Sequence, residues 1–407
     1  MLFEGSDAAY RKKTVEISKS DNRITVIGET NFRHYHMRFG IKRPDRMAHM
    51  YLLGQTGSGK STLIANFALQ DAANGEGFAL IDPHGDLVSK VRELLPEKRL
   101  NDLVYLNVPD RTQSLAFNPL AVGDPHLRPL VASGLISILK KIWPESWGPR
   151  MEYILRNVLL ALLDVPESTL LDVPRLLDDA DFRTRALSFV HDPQVRRFWI
   201  KEYESYPRNF RAEAIAPIQN KIGEFLVNPI LRRIVGHAKS SFDLRQVMDE
   251  GKILLVNLAK GSIGEDSASL LGGMLVTTFS LAALSRSTVP EHERRPFFLY
   301  LDEFPSFTTA SIGSLLSEMR KYRLGLILAH QYLLQVDETV RDAILGNAGT
   351  VIAFRTGLTD ALLLEKEFFP EFNAHDLIRL PNYHVYVRLM IDGVKSRAFS
   401  ARTLPMS

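Results

Sequence analysis

A chain of 407 residues is too long for one ordinary core, so two domains, or one large domain with an insertion, are expected. Hydrophobic residues at 45% and charged residues at 24% are globular values that argue against disorder, and the absence of cysteine excludes disulfides, thiolate zinc sites and thiol nucleophiles. A net charge of +3 permits a nucleic-acid partner without demanding one, so the clustering of charge matters more than its total.

The opening Met1-Leu2-Phe3-Glu4-Gly5-Ser6 has no apolar run of the kind a signal peptide or membrane anchor needs. Residues 1–47 form a lead-in segment with ten Lys/Arg against six Asp/Glu. It carries the cluster Arg33-His34-Tyr35-His36-Met37-Arg38, which reads as a solvated loop or, as the sharper alternative, a phosphate or base contact. Short strands are expected near Val26 and Met37–Phe39, leading towards the stretch that organises the chain. That stretch is His49-Met50-Tyr51-Leu52-Leu53, an apolar strand, followed by Gly54-Gln55-Thr56-Gly57-Ser58-Gly59-Lys60-Ser61-Thr62 and a helical run. The pattern G-x-x-x-x-G-K-[ST] is complete at Gly54, Gly59, Lys60 and Ser61. Its glycines let successive backbone N–H groups face phosphate oxygens at the positive end of a helix. Lys60 would reach the β- and γ-phosphates, and the Ser61 hydroxyl would ligate Mg²⁺. A nucleoside triphosphate with Mg²⁺ is therefore the expected ligand.

Gly77-Phe78-Ala79-Leu80-Ile81-Asp82 reads as a second strand, Val88 to Leu95 as a helix, and Leu103–Val108 as a third strand. Such alternation predicts an α/β fold with a mostly parallel sheet. It stops at residue 124. From 124 to 250 the text is helical, with Met151, Ile154, Leu155, Val158, Leu159 and Leu162 on one apolar stripe. We read an inserted all-helical domain over 124–250, with the nucleotide-binding domain made of 48–123 and 251–407. The insertion's 18 Lys/Arg and 17 Asp/Glu nearly cancel, and Trp143, Trp147, Arg150 and Trp199 read as packing and surface rather than a binding face.

The α/β pattern resumes at Lys252–Leu258, then passes through the loop Ala259 to Asp266 into the uncharged run Ser267–Ser285. That run is almost long enough to span a bilayer, but its glycines, threonines and serines read as a helix buried against the sheet. The chain thus reads as soluble and cytoplasmic, reaching the inner membrane only through partners. Strands are expected at Phe297–Leu301, Leu324–Ala329 and Thr350–Phe354, and the tail alternates like a hairpin at the sheet edge.

Asp302 and Glu303 end the Phe297–Leu301 strand. In a P-loop enzyme such a pair supplies the acid that holds Mg²⁺ and the acid that polarises the attacking water. Gln331 ends the strand expected beside the P-loop strand, where it could touch the γ-phosphate or simply satisfy backbone groups. Arg320 and Arg323 are surface bases within one subunit; in a ring, one could reach a neighbour's γ-phosphate. Lys260, in the flexible loop Ala259–Gly264, is the position we expect to contact DNA phosphates, with a plain surface turn as the alternative.

Together, Gly54–Thr62, Ile81-Asp82-Pro83-His84-Gly85-Asp86, Asn220-Lys221-Ile222-Gly223, Leu301-Asp302-Glu303-Phe304, Ala329-His330-Gln331 and Leu345–Thr350 resemble the HerA/FtsK group of ring-forming DNA-pumping P-loop ATPases. Within it the order of motifs is most similar to the TraG/TraD/TrwB branch, the coupling proteins of conjugation and type IV secretion. The resemblance spans about residues 25 to 403. It implies a RecA-like fold and a hexamer with ATP sites between subunits, moving DNA through a central channel. Lys60 and Ser61 match the P-loop, Asp302 and Glu303 the Mg²⁺ acid and the catalytic glutamate, and Gln331 the sensor glutamine. Arg320 matches the trans-acting arginine, and Arg355 is a second candidate for contact between subunits. Membrane-bound members carry N-terminal transmembrane helices; none is read in this sequence, so either the cytosolic part of such a protein or a naturally soluble relative is expected. A receptor for relaxase or other secretion cargo that does not itself pump DNA, and a motor partnered with a nuclease, are the competing expectations.

Overall fold

The computed structural model describes residues 24–31, 36–308 and 312–406; Arg33, His34 and Tyr35 of the basic cluster lie outside them. Thirteen strands are found among the described residues, eleven in one sheet. They are β1 (Ile24–Thr30), β2 (Arg38–Lys42), β3 (Met50–Leu53), β4 (Gly77–Asp82), β5 (Leu103–Asn107), β6 (Ile253–Asn257), β7 (Phe297–Leu301), β8 (Leu324–His330), β9 (Thr350–Ala353), β10 (His384–Arg388) and β13 (Phe399–Thr403). The small pair β11 (Met390–Ile391) and β12 (Val394–Lys395) stands apart. The order is β2-β1-β13-β10-β9-β3-β8-β7-β4-β6-β5. The seven strands from β9 to β5 are parallel, and the other four form an antiparallel wing.

The apolar runs explain this layout. Strands β3, β4, β6, β7, β8 and β9 are buried at every residue, as parallel strands covered on both faces must be. Successive side chains serve opposite cores. Met50, Leu52, Phe298 and Tyr300 pack beneath the P-loop helix Lys60–Ala73, whereas Tyr51, Leu53, Phe297, Leu299 and Leu301 face the core that continues into the helical region. Every regular element between β5 and β6 is helical, including Arg128–Ile142, Pro149–Asp164 and Arg208–Val227. Trp199 is fully buried there, which matches a packing role.

The uncharged run forms the helix Glu265–Ser285. By length and composition it could cross a membrane, but 72% of its apolar window is buried inside the fold. The tail departs from expectation. β10 and β13 do pair antiparallel, yet β10 also joins β9 and β13 also joins β1, so the hairpin lies inside the sheet and β2 forms that edge. Alternating burial in β10 reflects one covered face, a pattern that interior antiparallel strands share with edge strands. The lead-in strands β1 and β2 accordingly sit at the far wing and not beside β3.

One buried ion pair ties the wing to the parallel half. Arg46, 1% exposed, donates to both carboxylate oxygens of Asp71 on the P-loop helix at 2.6 and 2.9 Å. It also donates to Tyr300 Oη of β7 at 2.7 Å and Thr25 Oγ1 of β1 at 2.8 Å, and its guanidinium lies 3.7 Å from the centre of the Phe298 ring. Removing the carboxylate strands a charge in the core, which costs about 3–5 kcal/mol. Asp71→Ala should therefore lower unfolding stability by that amount in urea titrations, and a loss below about 1 kcal/mol, typical of an exposed pair, would contradict the burial of this charge.

Candidate nucleotide site

Because β3, β7, β8 and β9 run the same way, the residues that follow them meet at one edge of the sheet, where ligands bind in open α/β folds. Beyond Leu53 the chain turns through Gly54–Gly59 into the helix Lys60–Ala73. Two glycines are required by the space available. A Cβ on Gly54 would lie 2.5 Å from Phe354 Cβ, and Gly59, at φ +119°, would place one 2.8 Å from the Tyr383 ring. The loop is pinned by its neighbours: Gln55 N donates to Arg355 O at 2.8 Å, and Tyr383 N to Ser58 O at 2.8 Å. Lys60 is buried, and its ammonium donates to Gly54 O and, at 3.2 Å, to Gln55 O. Burial lowers its pKa, against the opposing pull of Asp302 and Glu303. The Ser61 hydroxyl lies exposed at the first turn, and Thr62 is half-buried behind it.

Asp302 and Glu303 follow β7, both nearly closed off from solvent. Burial, and then the charges of Asp82 and Glu303, push the Asp302 carboxyl up to about 7 despite Lys60 nearby. Glu303 sits at φ +49°, a left-handed backbone that costs about 1–2 kcal/mol for a residue with a side chain. Its Oε1 accepts from Gln331 Nε2 at 2.6 Å, while Gln331 Oε1 accepts from Thr56 Oγ1 at 2.7 Å. A carboxylate needs the amide NH₂ and a hydroxyl can donate to the amide oxygen, so both ends of Gln331 are matched. A P-loop side chain, the end of β8 and the end of β7 are thereby linked in one hydrogen-bonded row. Gln331 thus bonds two side chains of the site rather than backbone groups.

Asp82, at the end of β4, accepts from the backbone N–H groups of His84, Leu87 and Val88 at 2.8, 2.9 and 3.1 Å, so it caps the helix Asp86–Glu93. Behind Gln331, His330 is fully buried between the Tyr51 hydroxyl and Gln335 Oε1, and burial lowers its pKa to about 3, leaving the ring neutral. Among the described residues no group of three or more His, Asp or Glu side chains forms a metal cage. The donor set instead suits a cation shared with phosphate: one serine hydroxyl at a helix N-terminus and one buried acid repelled by two others.

The side chains of three further expected residues stand outside the hydrogen-bonded row. Arg320 precedes β8, at the opposite edge of the sheet from Gln331, roughly 20 Å away for a strand of this length. There its charge adds to the burial that holds the His49 imidazole at about 4. Arg355 follows β9 beside the cradle of its own chain and donates to Leu380 O at 3.4 Å. Lys260 differs from the flexible loop expected of it. Residues Lys260–Ile263 form a helical turn, fixed where Lys260 N donates to Pro83 O at 2.7 Å. Within this stretch Gly261, Ser262, Gly264, Glu265 and Asp266 are exposed, while Ile263 is buried in the core.

No family profile and no curated protein matches the sequence. Solved structures do. The bacterial conjugative coupling protein TrwBΔN70 aligns with a TM-score of 0.62 at 14% identity, over 93% of this chain and 89% of its own. The plasmid coupling protein TrwB in complex with ADP and Mg²⁺ gives 0.64 at 16% identity, over 90% and 88%. VirB4 of Thermoanaerobacter pseudethanolicus gives 0.61 at 13% identity, over 93% and 96%.

The raised Asp302 pKa has a consequence for stability without ligand. A carboxyl that protonates more readily folded than unfolded favours the fold fully below its unfolded value near 4 and loses that advantage as pH rises through about 7. Asp302→Asn should therefore raise the melting temperature at pH 8, by an amount equivalent to a few kcal/mol, and change it little at pH 4. An equal shift at both pH values would contradict the assigned environment. The fold that carries this site is that of a P-loop NTPase, a large mostly parallel sheet shared with TrwB and VirB4 over nine-tenths of the chain.

Proposed function

We propose that this chain is an ATP hydrolase of the conjugative coupling type that acts as a ring and moves DNA, through sequence-independent contacts, along a central channel. The observation that carries the reading is the hydrogen-bonded row Thr56–Gln331–Glu303 beside Lys60 and Asp302, on a fold similar to TrwB along nearly its whole length. TrwB has been solved with the ATP analogue ADPNP and with ADP and Mg²⁺, which supports the same ligands here.

In this reading the backbone of Gly54–Gly59 cradles the phosphates, with the Gln55–Thr62 segment as the binding loop. Lys60 exchanges its loop carbonyls for phosphate oxygens. Ser61 and Asp302 would hold Mg²⁺, which would neutralise charge that develops on the phosphoryl group. Glu303 accepts a proton from the attacking water, and Gln331 aims it. An arginine from a neighbouring subunit would complete the site. Arg320, on the opposite edge of the sheet, can serve only a neighbour's nucleotide, whereas Arg355 sits close enough to act within its own chain or at the seam. Lys260 remains a candidate phosphate contact on the same edge as the nucleotide. The lead-in segment 1–47, the nucleotide-binding domain 48–123 with 251–407, and the helical insertion 124–250 are the functional units we assign, with relaxase or other secretion cargo as partners of the assembled hexamer in the cytoplasm.

Lys60→Ala should abolish turnover, and Glu303→Gln should bind ATP yet hydrolyse it at least about a hundredfold more slowly, the scale of a lost general base. Normal turnover by Glu303→Gln would refute the assignment. Wild-type hydrolysis should rise several-fold with DNA, and the rise should weaken as salt is added. Hydrolysis indifferent to DNA would instead favour the cargo receptor.

A further inference from the structure

The turn that carries Glu303 is supported from the helical region. Directly after Glu303, Phe304–Ser306 forms a single turn of 3₁₀-helix, closed by Ser306 N donating to Glu303 O at 3.0 Å and Thr308 N to Phe304 O at 3.2 Å. Phe304 and Phe307 are buried, and the contact on Phe307 is tight: a Cβ on Gly272 of the helix Glu265–Ser285 would lie 2.3 Å from Phe307 Cδ1. The helix Arg128–Ile142 lies against that same helix, with Ile138 3.1 Å from a Cβ built on Gly273. Its last turn carries Lys141. The Lys141 ammonium donates to Pro305 O and, at 2.6 Å, to Thr308 O. One ammonium therefore closes two carbonyls, one within the turn and one just after it, groups that a short helical turn leaves without partners of its own. Hydrogen bonds from a charged donor are among the stronger ones, and the contact joins positions 164 and 167 residues apart in sequence.

We propose that Lys141 is a positioning residue for Glu303. In this role it fixes the turn whose first residue must hold a left-handed backbone to point its carboxylate at Gln331. The helical region and the hydrolytic site are thus joined by a direct contact, and a load that moves the end of helix Arg128–Ile142 moves Glu303. The inference rests on the reading of Glu303 as the acid that activates water.

The test uses the full chain and measures ATP turnover against ATP concentration, with ADP affinity by calorimetry and melting temperature alongside. Lys141→Met keeps the stem and removes the donors. It should lower kcat about tenfold or more while ADP affinity stays within about twofold, since a misaimed base slows chemistry without loosening the phosphate cradle. Lys141→Arg, which can still donate to two carbonyls, should restore most of kcat. A wild-type kcat in Lys141→Met would overturn the proposal, as would a parallel loss of turnover and ADP affinity that Lys141→Arg does not rescue. Should Lys141→Met fail to fold, Lys141→Ala, which also lacks a donor, substitutes for it: a kcat below wild type with unchanged ADP affinity supports the role, and a wild-type kcat overturns it. Glu303→Gln is assayed beside them. If that variant hydrolyses ATP normally, the reading of the site itself has failed; if it is inert while Lys141→Met is normal, only the positioning role is lost.

Discussion

An imbalance of charge at the carboxyl edge of the sheet governs this molecule. The parallel register sets the ends of β4 and β7 side by side, so Asp82, Asp302 and Glu303 share one neighbourhood with a single ammonium, that of Lys60. Burial makes the Asp302 carboxylate expensive to ionise, and repulsion from Asp82 and Glu303 adds to it. Asp82 is stabilised by three backbone N–H donors and Glu303 by the Gln331 amide. Asp302 accepts the backbone N–H of Glu303 at 3.2 Å, and its carboxyl is displaced up to about 7. A dication brought in on a triphosphate is the natural relief of that repulsion.

The hydrogen-bonded row gives the same edge its directionality. Thr56 belongs to the phosphate loop, Gln331 to β8 and Glu303 to β7, so a shift in the loop reaches the acid through one amide. The buried Tyr51–His330–Gln335 contacts lie immediately behind it and stiffen the end of β8 against β3. On the other side, Lys141 ties the following turn to the helical region. Glu303 is thus held between the nucleotide loop and the helices.

Much of this was legible in the sequence because it is local. Gly54–Thr62 is a contiguous motif, and the continuous apolar runs of β4, β6, β7 and β8 announce strands buried on both faces. Asp302, Glu303 and Gln331 are readable as strand-end residues once a parallel sheet is granted. What escaped depends on distant contacts. The tail hairpin was misplaced at an edge because alternation reports one covered face and is silent about the number of neighbours. The glycine and serine beside Lys260 suggest a flexible loop, whereas Lys260–Ile263 form a helical turn with Ile263 buried. Lys141 offers no signal at all: a lysine ending an amphipathic helix is ordinary, and its acceptors are backbone carbonyls in another part of the chain.

The charge imbalance can be measured directly as protons released when Mg·ADP binds, from calorimetry at pH 7 in buffers of different ionisation enthalpy. If a dication settles beside an Asp302 carboxyl that titrates at about 7, binding expels roughly half a proton per site, and Asp302→Asn abolishes the release. Binding that releases no proton in the wild-type chain, or a release untouched by Asp302→Asn, would contradict the account.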